Sequence, residues 1–154
     1  MEVPETEAAV GELRLRYDSS AALGVPAHIT ILFPFADGDE VDETALAELF
    51  ARFPAFDFRL DRVERFDDGI VWLHPEPSRP FLDLTAAVAQ RWPAHPPYEG
   101  MFDEVIPHLT VSEVPIDVSV ELPIAARAHE VTLIEQDDST RRWSTRRSFA
   151  LHVS

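Results

Sequence analysis

The sequence predicts an antiparallel α+β fold, and three observations carry that prediction. Segments with a helical apolar period are interleaved with segments that read as strands joined by tight turns, a pattern unlike that of a doubly wound parallel sheet. One strand-like pattern occurs twice, as AHITILFPF at residues 27 to 35 and as PHLTVSEVP at residues 107 to 115. No low-complexity stretch or linker divides the 154 residues, so the chain reads as one domain, 1–154, long enough to bury its own core.

The elements follow in order. Pro4 suits a first helical turn, and Glu5 and Glu7 lie near its positive end. Val10, Leu13 and Tyr17 continue it as an apolar stripe at i, i+3, i+7. Residues 18 to 26 read as a loop. The first repeated strand runs from about Ala27 to Phe33 and stops at Pro34. Asp42 caps a second helix, VDETALAELFARF, with Leu46, Leu49, Phe50 and Phe53 on its buried side. Residues 56 to 65 alternate apolar and polar, Asp67-Asp68-Gly69 is a turn, and residues 70 to 74 return as a strand, making a hairpin. After a loop over residues 75 to 80, a third helix spans residues 81 to 92 with Phe81, Leu84, Val88 and Trp92 inward. Residues 93 to 100 form a proline-rich irregular connection, and the second repeated strand covers about 106 to 113. The remainder reads as β: residues 118 to 122, 125 to 135, a turn at 137 to 139, then 142 to 153.

The two repeats are His28-Ile29-Thr30-Ile31 and His108-Leu109-Thr110-Val111. With six histidines and eight threonines in the chain, composition alone predicts fewer than one His-x-Thr triplet. Residues i and i+2 of a strand share a face, so each repeat presents an imidazole and a hydroxyl side by side over an apolar layer. Placed in facing sheets, two imidazoles flank one point. A histidine near its ordinary pKa of about 6.5 takes or gives a proton equally well at neutral pH. Two of them on opposite sides of a phosphorus suit in-line displacement: one removes a proton from the attacking oxygen while the other protonates the leaving oxygen. Thr30 and Thr110 would donate to the non-bridging oxygens, where charge grows. The chemistry calls for no metal and no cofactor.

Composition narrows the partners. The net charge is −15, and all thirteen cations are arginine. Such a surface repels long polyanions, so no long duplex nucleic acid is expected as a partner, whereas a small anion in a locally positive pocket is compatible with it. There is no cysteine, hence no disulfide and no thiolate site, which fits a reducing cytoplasm. No apolar run reaches membrane-spanning length, and the acidic opening MEVPETEAAV does not read as a signal peptide. A monomer is expected.

The paired motifs resemble those of the two-histidine (2H) phosphoesterase superfamily, which includes the 2'-5' RNA ligase-like proteins and cyclic phosphodiesterases. Its signature is two H-x-T/S-x motifs, and the flanks GVPAHITILFPF and FDEVIPHLTVSE are similar as well. The resemblance extends over nearly the whole chain. It implies two pseudo-symmetric lobes of antiparallel sheet, with helices outside and a central cleft carrying one HxT motif per lobe. It also implies hydrolysis or reversible ligation of 2',3'-cyclic phosphates or 2',5'-phosphodiesters in nucleotides or short RNA ends, with His28 and His108 catalytic and Thr30 and Thr110 holding the phosphate. A module that binds the same ligands without turnover is the alternative. Two departures concern the rim of the cleft. Met1 to Pro4 leaves little room for the strand that usually opens the family, and residues 114 to 123 are short and β-branched where many members carry a helix.

Further candidates are the aromatics Phe35, Tyr98, Phe102 and Trp143, on which a base could stack. Phe102 is preferred, because GMFDEVIPH leads straight into the second motif. Arg141, Arg142, Arg146 and Arg147 form the one dense basic cluster. They read either as guards of an edge strand or as an anion-collecting rim, with Arg147 on the strand face of Trp143 and Phe149. His95 reads as a loop residue, His74 as structural or exposed, and His129 and His152 have no motif partner. The chain holds no HExxH unit or similar spacing that would gather three zinc ligands.

Overall fold

The computed structural model describes residues 1–153. The hairpin of β1 (Phe56–Arg65) and β2 (Val71–Glu76) forms the middle of a four-stranded antiparallel sheet. β3 (Leu109–Ser112) lies beside β2 and β4 (Ile124–Ala128) beside β1, giving the order β3-β2-β1-β4. A second hairpin, β5 (Glu130–Gln136) with β6 (Trp143–Ala150), makes a separate two-stranded sheet. Four α-helices accompany them among the described residues: α1 (Glu7–Tyr17), α2 (Ser19–Ala22), α3 (Glu43–Phe50) and α4 (Arg79–Arg91).

Local chemistry accounts for the elements the sequence predicts well. The Ala45 amide donates to Asp42 Oδ1 at 2.9 Å, so α3 begins where its cap stands, and Leu46 and Phe50 turn inward. Pro80 lies in the first turn of α4, and Phe81, Leu84, Thr85 and Val88 form its buried stripe. Along β2 the core side is Val71, Leu73 and Pro75, whereas Trp72, His74 and Glu76 take the other face. One apolar core runs through both sheets and joins Val10, Ile29, Leu73, Phe81 and Leu109 to Val131, Phe149 and Leu151. Among the described residues no helix is long and apolar enough to cross a membrane.

Four expectations are corrected. The first motif is not a regular strand over 27–33. It makes a single bridge, Glu2 to His28, completed by bonds from Val3 N to Ala27 O (2.8 Å) and from Ile29 N to Met1 O (2.8 Å). Three residues before Pro4 therefore suffice for pairing, but Pro4 ends the partner. Beyond Thr30 the chain bends and its carbonyls bond elsewhere: Ile31 O accepts from Thr85 Oγ1 at 2.6 Å and Phe33 O from Tyr98 N at 2.7 Å. The expected loop 18–26 contains α2, whose cap Asp18 accepts from Ser20 N at 3.1 Å. The expected strand 118–122 has no ladder. Val118, Val120 and Leu122 still pack against the core, so the alternation reported a buried side and not a pairing. Finally, the single strand expected over 125–135 breaks at His129. Ala128 pairs with Phe56, where β1 begins, so the first sheet offers no further partner, and β5 turns to β6.

Candidate functional site

Both motifs present the predicted alternation. Ile29, Ile31, Leu109 and Val111 are buried, while His28, Thr30, His108 and Thr110 are half-buried on the opposite side. Thr110 stands directly across from Trp72 in the β2–β3 ladder, so the second motif shares its face with Trp72, His74 and Glu76.

The two imidazoles are held in the same way. His28 Nδ1 is 2.9 Å from Pro26 O, and His108 Nδ1 is 2.7 Å from Ile106 O, in each case the carbonyl two residues back. A carbonyl oxygen only accepts, so each Nδ1 carries the proton and donates it. Nε2 is then the free nitrogen of each ring: a lone pair when the ring is neutral, an N–H when it is charged.

Burial lowers the pKa of both rings, that of His28 to about 4. Both shifts favour the neutral rings at pH 7. The consequence for stability has a definite sign. In the unfolded chain His28 takes up a proton near pH 6.5, but in the fold only near pH 4. Its contribution is thus fully present above about pH 6.5 and is lost as the pH falls toward 4. His28→Gln should flatten that part of the profile, read as the difference in urea midpoint between variant and parent at pH 4.5, 5.5 and 7. An unchanged difference across the three would contradict the burial of the ring.

The surroundings of His108 were not legible in the sequence. Phe66 meets the ring edge-on at 5.0 Å and Trp72 at 6.0 Å, while Phe66 stacks on Trp72 at 4.8 Å. Trp72 is thereby buried although it lies off the core face, and its Nε1 has no hydrogen-bond partner among the described residues. The available signal was the position of Trp72, two residues before His74 on the outward side of the hairpin.

Around the first motif, Tyr98 N donates to Phe33 O at 2.7 Å, and burial raises the pKa of the Tyr98 phenol. Phe102 lies edge-on to Tyr98 at 5.6 Å and is 61% exposed. Phe35 instead packs against Trp92 (5.6 Å) and His95 (5.5 Å). Trp143 meets Phe33 at 6.2 Å and bonds through its backbone to Leu23 O. Arg147 is exposed, with its guanidinium 5.2 Å over the Phe149 ring, as the shared strand face predicts. Two of its neighbours are structural ties: Arg146 donates to Gly38 O at 2.8 Å and Arg142 to Ala22 O at 3.3 Å.

One ligand-like group escaped the sequence reading. Asp61, His74 and Glu76 each place a ligand atom within 4.8 Å of the others. A bulge in β1 causes this, because the pairing moves from Leu60–Pro75 to Arg62–His74 and leaves Asp61 as the extra residue. His74 Nδ1 lies 2.8 Å from Asp61 Oδ1 and Arg62 Nη1 3.5 Å from Asp61 Oδ2. The imidazole and the guanidinium already satisfy that carboxylate, so contacts within the fold account for the place of Asp61.

Comparison with known proteins agrees with this architecture. The family model for the 2'-5' RNA ligase superfamily matches residues 3–147. The fold is similar to that of E. coli LigT in its apo form, with a TM-score of 0.65, 19% identity, and coverage of 99% of this chain and 94% of LigT. It is also similar to LigT complexed with 3'-AMP (TM-score 0.64, 18% identity, 98% and 94% covered). Protein TT0787 of Thermus thermophilus is alike to the same degree, with a TM-score of 0.63, 18% identity, and 97% and 93% covered. Identities this low establish a shared fold. No curated protein sequence matches the chain.

Proposed function

The chain belongs to the 2'-5' RNA ligase superfamily, and from that premise we propose that it is a metal-independent phosphoesterase acting on 2',3'-cyclic phosphates or 2',5'-phosphodiesters of nucleotides and short RNA ends. In this reading residues 1–154 form one bilobal domain, a cytoplasmic monomer, with both motifs facing a single cleft. The observation that carries it is the matched support of His28 and His108, each bonded through Nδ1 to the carbonyl two residues back and each leaving Nε2 free.

For a cyclic phosphate the steps balance without a further reactant. One Nε2 takes a proton from water as its oxygen attacks phosphorus. The bond from phosphorus to one ribose oxygen breaks, and the other histidine, entering as imidazolium, gives that oxygen a proton. Thr30 and Thr110 donate to the non-bridging oxygens. Because burial favours the neutral form of both rings, the acid takes up its proton from solvent as the substrate binds, since the negative phosphate raises the pKa of the imidazole beside it. That LigT has been seen with ATP, 3'-AMP and NADP+ supports a nucleotide as ligand. The test is incubation with 2',3'-cyclic nucleotides in excess EDTA. Hydrolysis that persists is the expected result. Binding without turnover would make the protein a binding module, and activity restored only by metal would overturn the reading.

The charge predicts how substrate length matters. With a net charge of −15, and with Arg142 and Arg146 engaged by the fold, few phosphates can be held outside the cleft. A cyclic mononucleotide should therefore match a tRNA-length RNA ending in the same cyclic phosphate to within a few-fold in kcat/KM. Each single-strand phosphate contact would add about 0.7 to the slope of log K against log salt, so both substrates should show a shallow slope. A large preference for the long RNA with steep salt dependence would show that the β5–β6 arginines form an RNA track.

A further inference from the structure

The turn between β1 and β2 carries an aromatic ring to His108. Phe66 N donates to Ile70 O at 2.9 Å and Gly69 N to Phe66 O at 3.0 Å, which closes the turn. It is also fixed to the segment that follows β3. Arg65 Nη2 donates to Ile116 O at 2.9 Å. Gly69, at φ 97°, lies so close to Pro115 that a Cβ there would be 3.1 Å from Pro115 Cδ. Glycine takes this φ freely, and here it also permits the close approach. From this base the Phe66 ring stacks on Trp72 (4.8 Å, 26°) and stands at 85° to the His108 imidazole, 5.0 Å away. Trp72 makes a second contact with the imidazole, at 6.0 Å and 69°. Neither Phe66 nor Trp72 is part of the apolar core that joins the sheets, so core packing does not account for the pair.

One hydrogen bond, from Nδ1 to Ile106 O at 2.7 Å, fixes one atom of the imidazole. The plane of the ring can still rock about that bond, because the last torsion of a histidine is broad. Perpendicular ring contacts restrict the plane, since the positive edge of one ring prefers the negative face of the other. We infer that Phe66 is a positioning residue for His108: backed by Trp72, it holds the imidazole plane so that Nε2 is directed at the phosphate. A misdirected proton-transfer group costs rate and not affinity, because its contribution is made in the transition state. The role rests on the reading of His108 as an acid or base.

The experiment is a double-mutant cycle on 2',3'-cyclic nucleotide hydrolysis, with Phe66→Leu and Phe66→Tyr made in the parent and in His108→Ala. Phe66→Leu keeps an apolar side chain but removes the flat ring. It should lower kcat about tenfold, the upper end of what one aromatic pair contributes, with KM changed less than about twofold. Phe66→Tyr restores the ring and should bring kcat back to within about threefold of the parent. In the His108→Ala background Phe66→Leu should change the residual kcat less than about twofold, because no imidazole remains to be held. Equal losses in both backgrounds would overturn the positioning role, because Phe66 would then act on the substrate directly or only support the turn. An undiminished kcat in Phe66→Leu, a loss confined to KM, or a tyrosine variant as slow as the leucine variant would overturn it as well. If Phe66→Leu failed to fold, Phe66→Met would run through the same cycle with the same expected values. A folded parent protein that binds but never turns over a cyclic nucleotide would remove the functional reading and this role with it, an outcome distinct from turnover with equal losses in both backgrounds.

Discussion

Replacing His28 or His108 by alanine is expected to lower kcat on a 2',3'-cyclic nucleotide by at least ~10², the low end of what a positioned acid or base contributes. The two losses should be similar, because each ring is supported by one bond to the carbonyl two residues back and offers the same nitrogen. Thr30→Ala and Thr110→Ala should cost less, since each removes one donor among several to a shared phosphate. None of the four side chains belongs to the apolar core, so unfolding free energies at pH 7 should move by no more than about 1 kcal/mol. Paired kinetic and urea measurements separate the two effects. Near-normal turnover in both histidine variants would exclude the acid–base assignment. A loss of stability that matched the loss of rate would make the histidines structural.

The largest stability effect is expected from Asp18→Ala, at about 3–5 kcal/mol. Arg14 and Asp18 are 2% and 5% exposed and lie 3.1 Å apart, one turn from each other at the end of α1. Removing the carboxylate leaves a guanidinium in the interior with no counter-charge, and its Nε already has no partner. The same carboxylate caps α2 by accepting from Ser20 N at 3.1 Å and Ser20 Oγ at 2.8 Å, so a cap is lost as well. Adding Arg14→Leu to the variant should recover much of the loss, because a buried apolar side chain carries no desolvation cost. Urea unfolding at pH 7 measures both. A loss of less than about 1 kcal/mol for Asp18→Ala would mean that Arg14 reaches water when its partner is removed.

Periodicity within a short window was the most legible part of the chain. The stripe of α4, the Asp42 cap of α3 and the alternation of β1 are local patterns, and the structure follows them. The repeated His-x-Thr motifs were legible for the same reason: two residues apart in extended chain means one face, whatever the strand pairs with. Alternation was misleading where pairing mattered. Residues 118 to 122 alternate against the core without a ladder, and residues 27 to 33 pair only at His28 before Thr85 and Tyr98 take over their carbonyls.

By itself, then, the sequence determined the α+β class, the main helices, the central hairpin, and the four side chains on which the functional reading depends. Only the tertiary structure decided what surrounds them. It set Phe66 and Trp72 against His108, tied the Tyr98 backbone to Phe33, and gathered Asp61, His74 and Glu76 at a bulge. Each of these contacts joins residues from different elements or depends on a register shift. Local preference is decided within a few residues, whereas such contacts follow from how whole elements bury their apolar faces together.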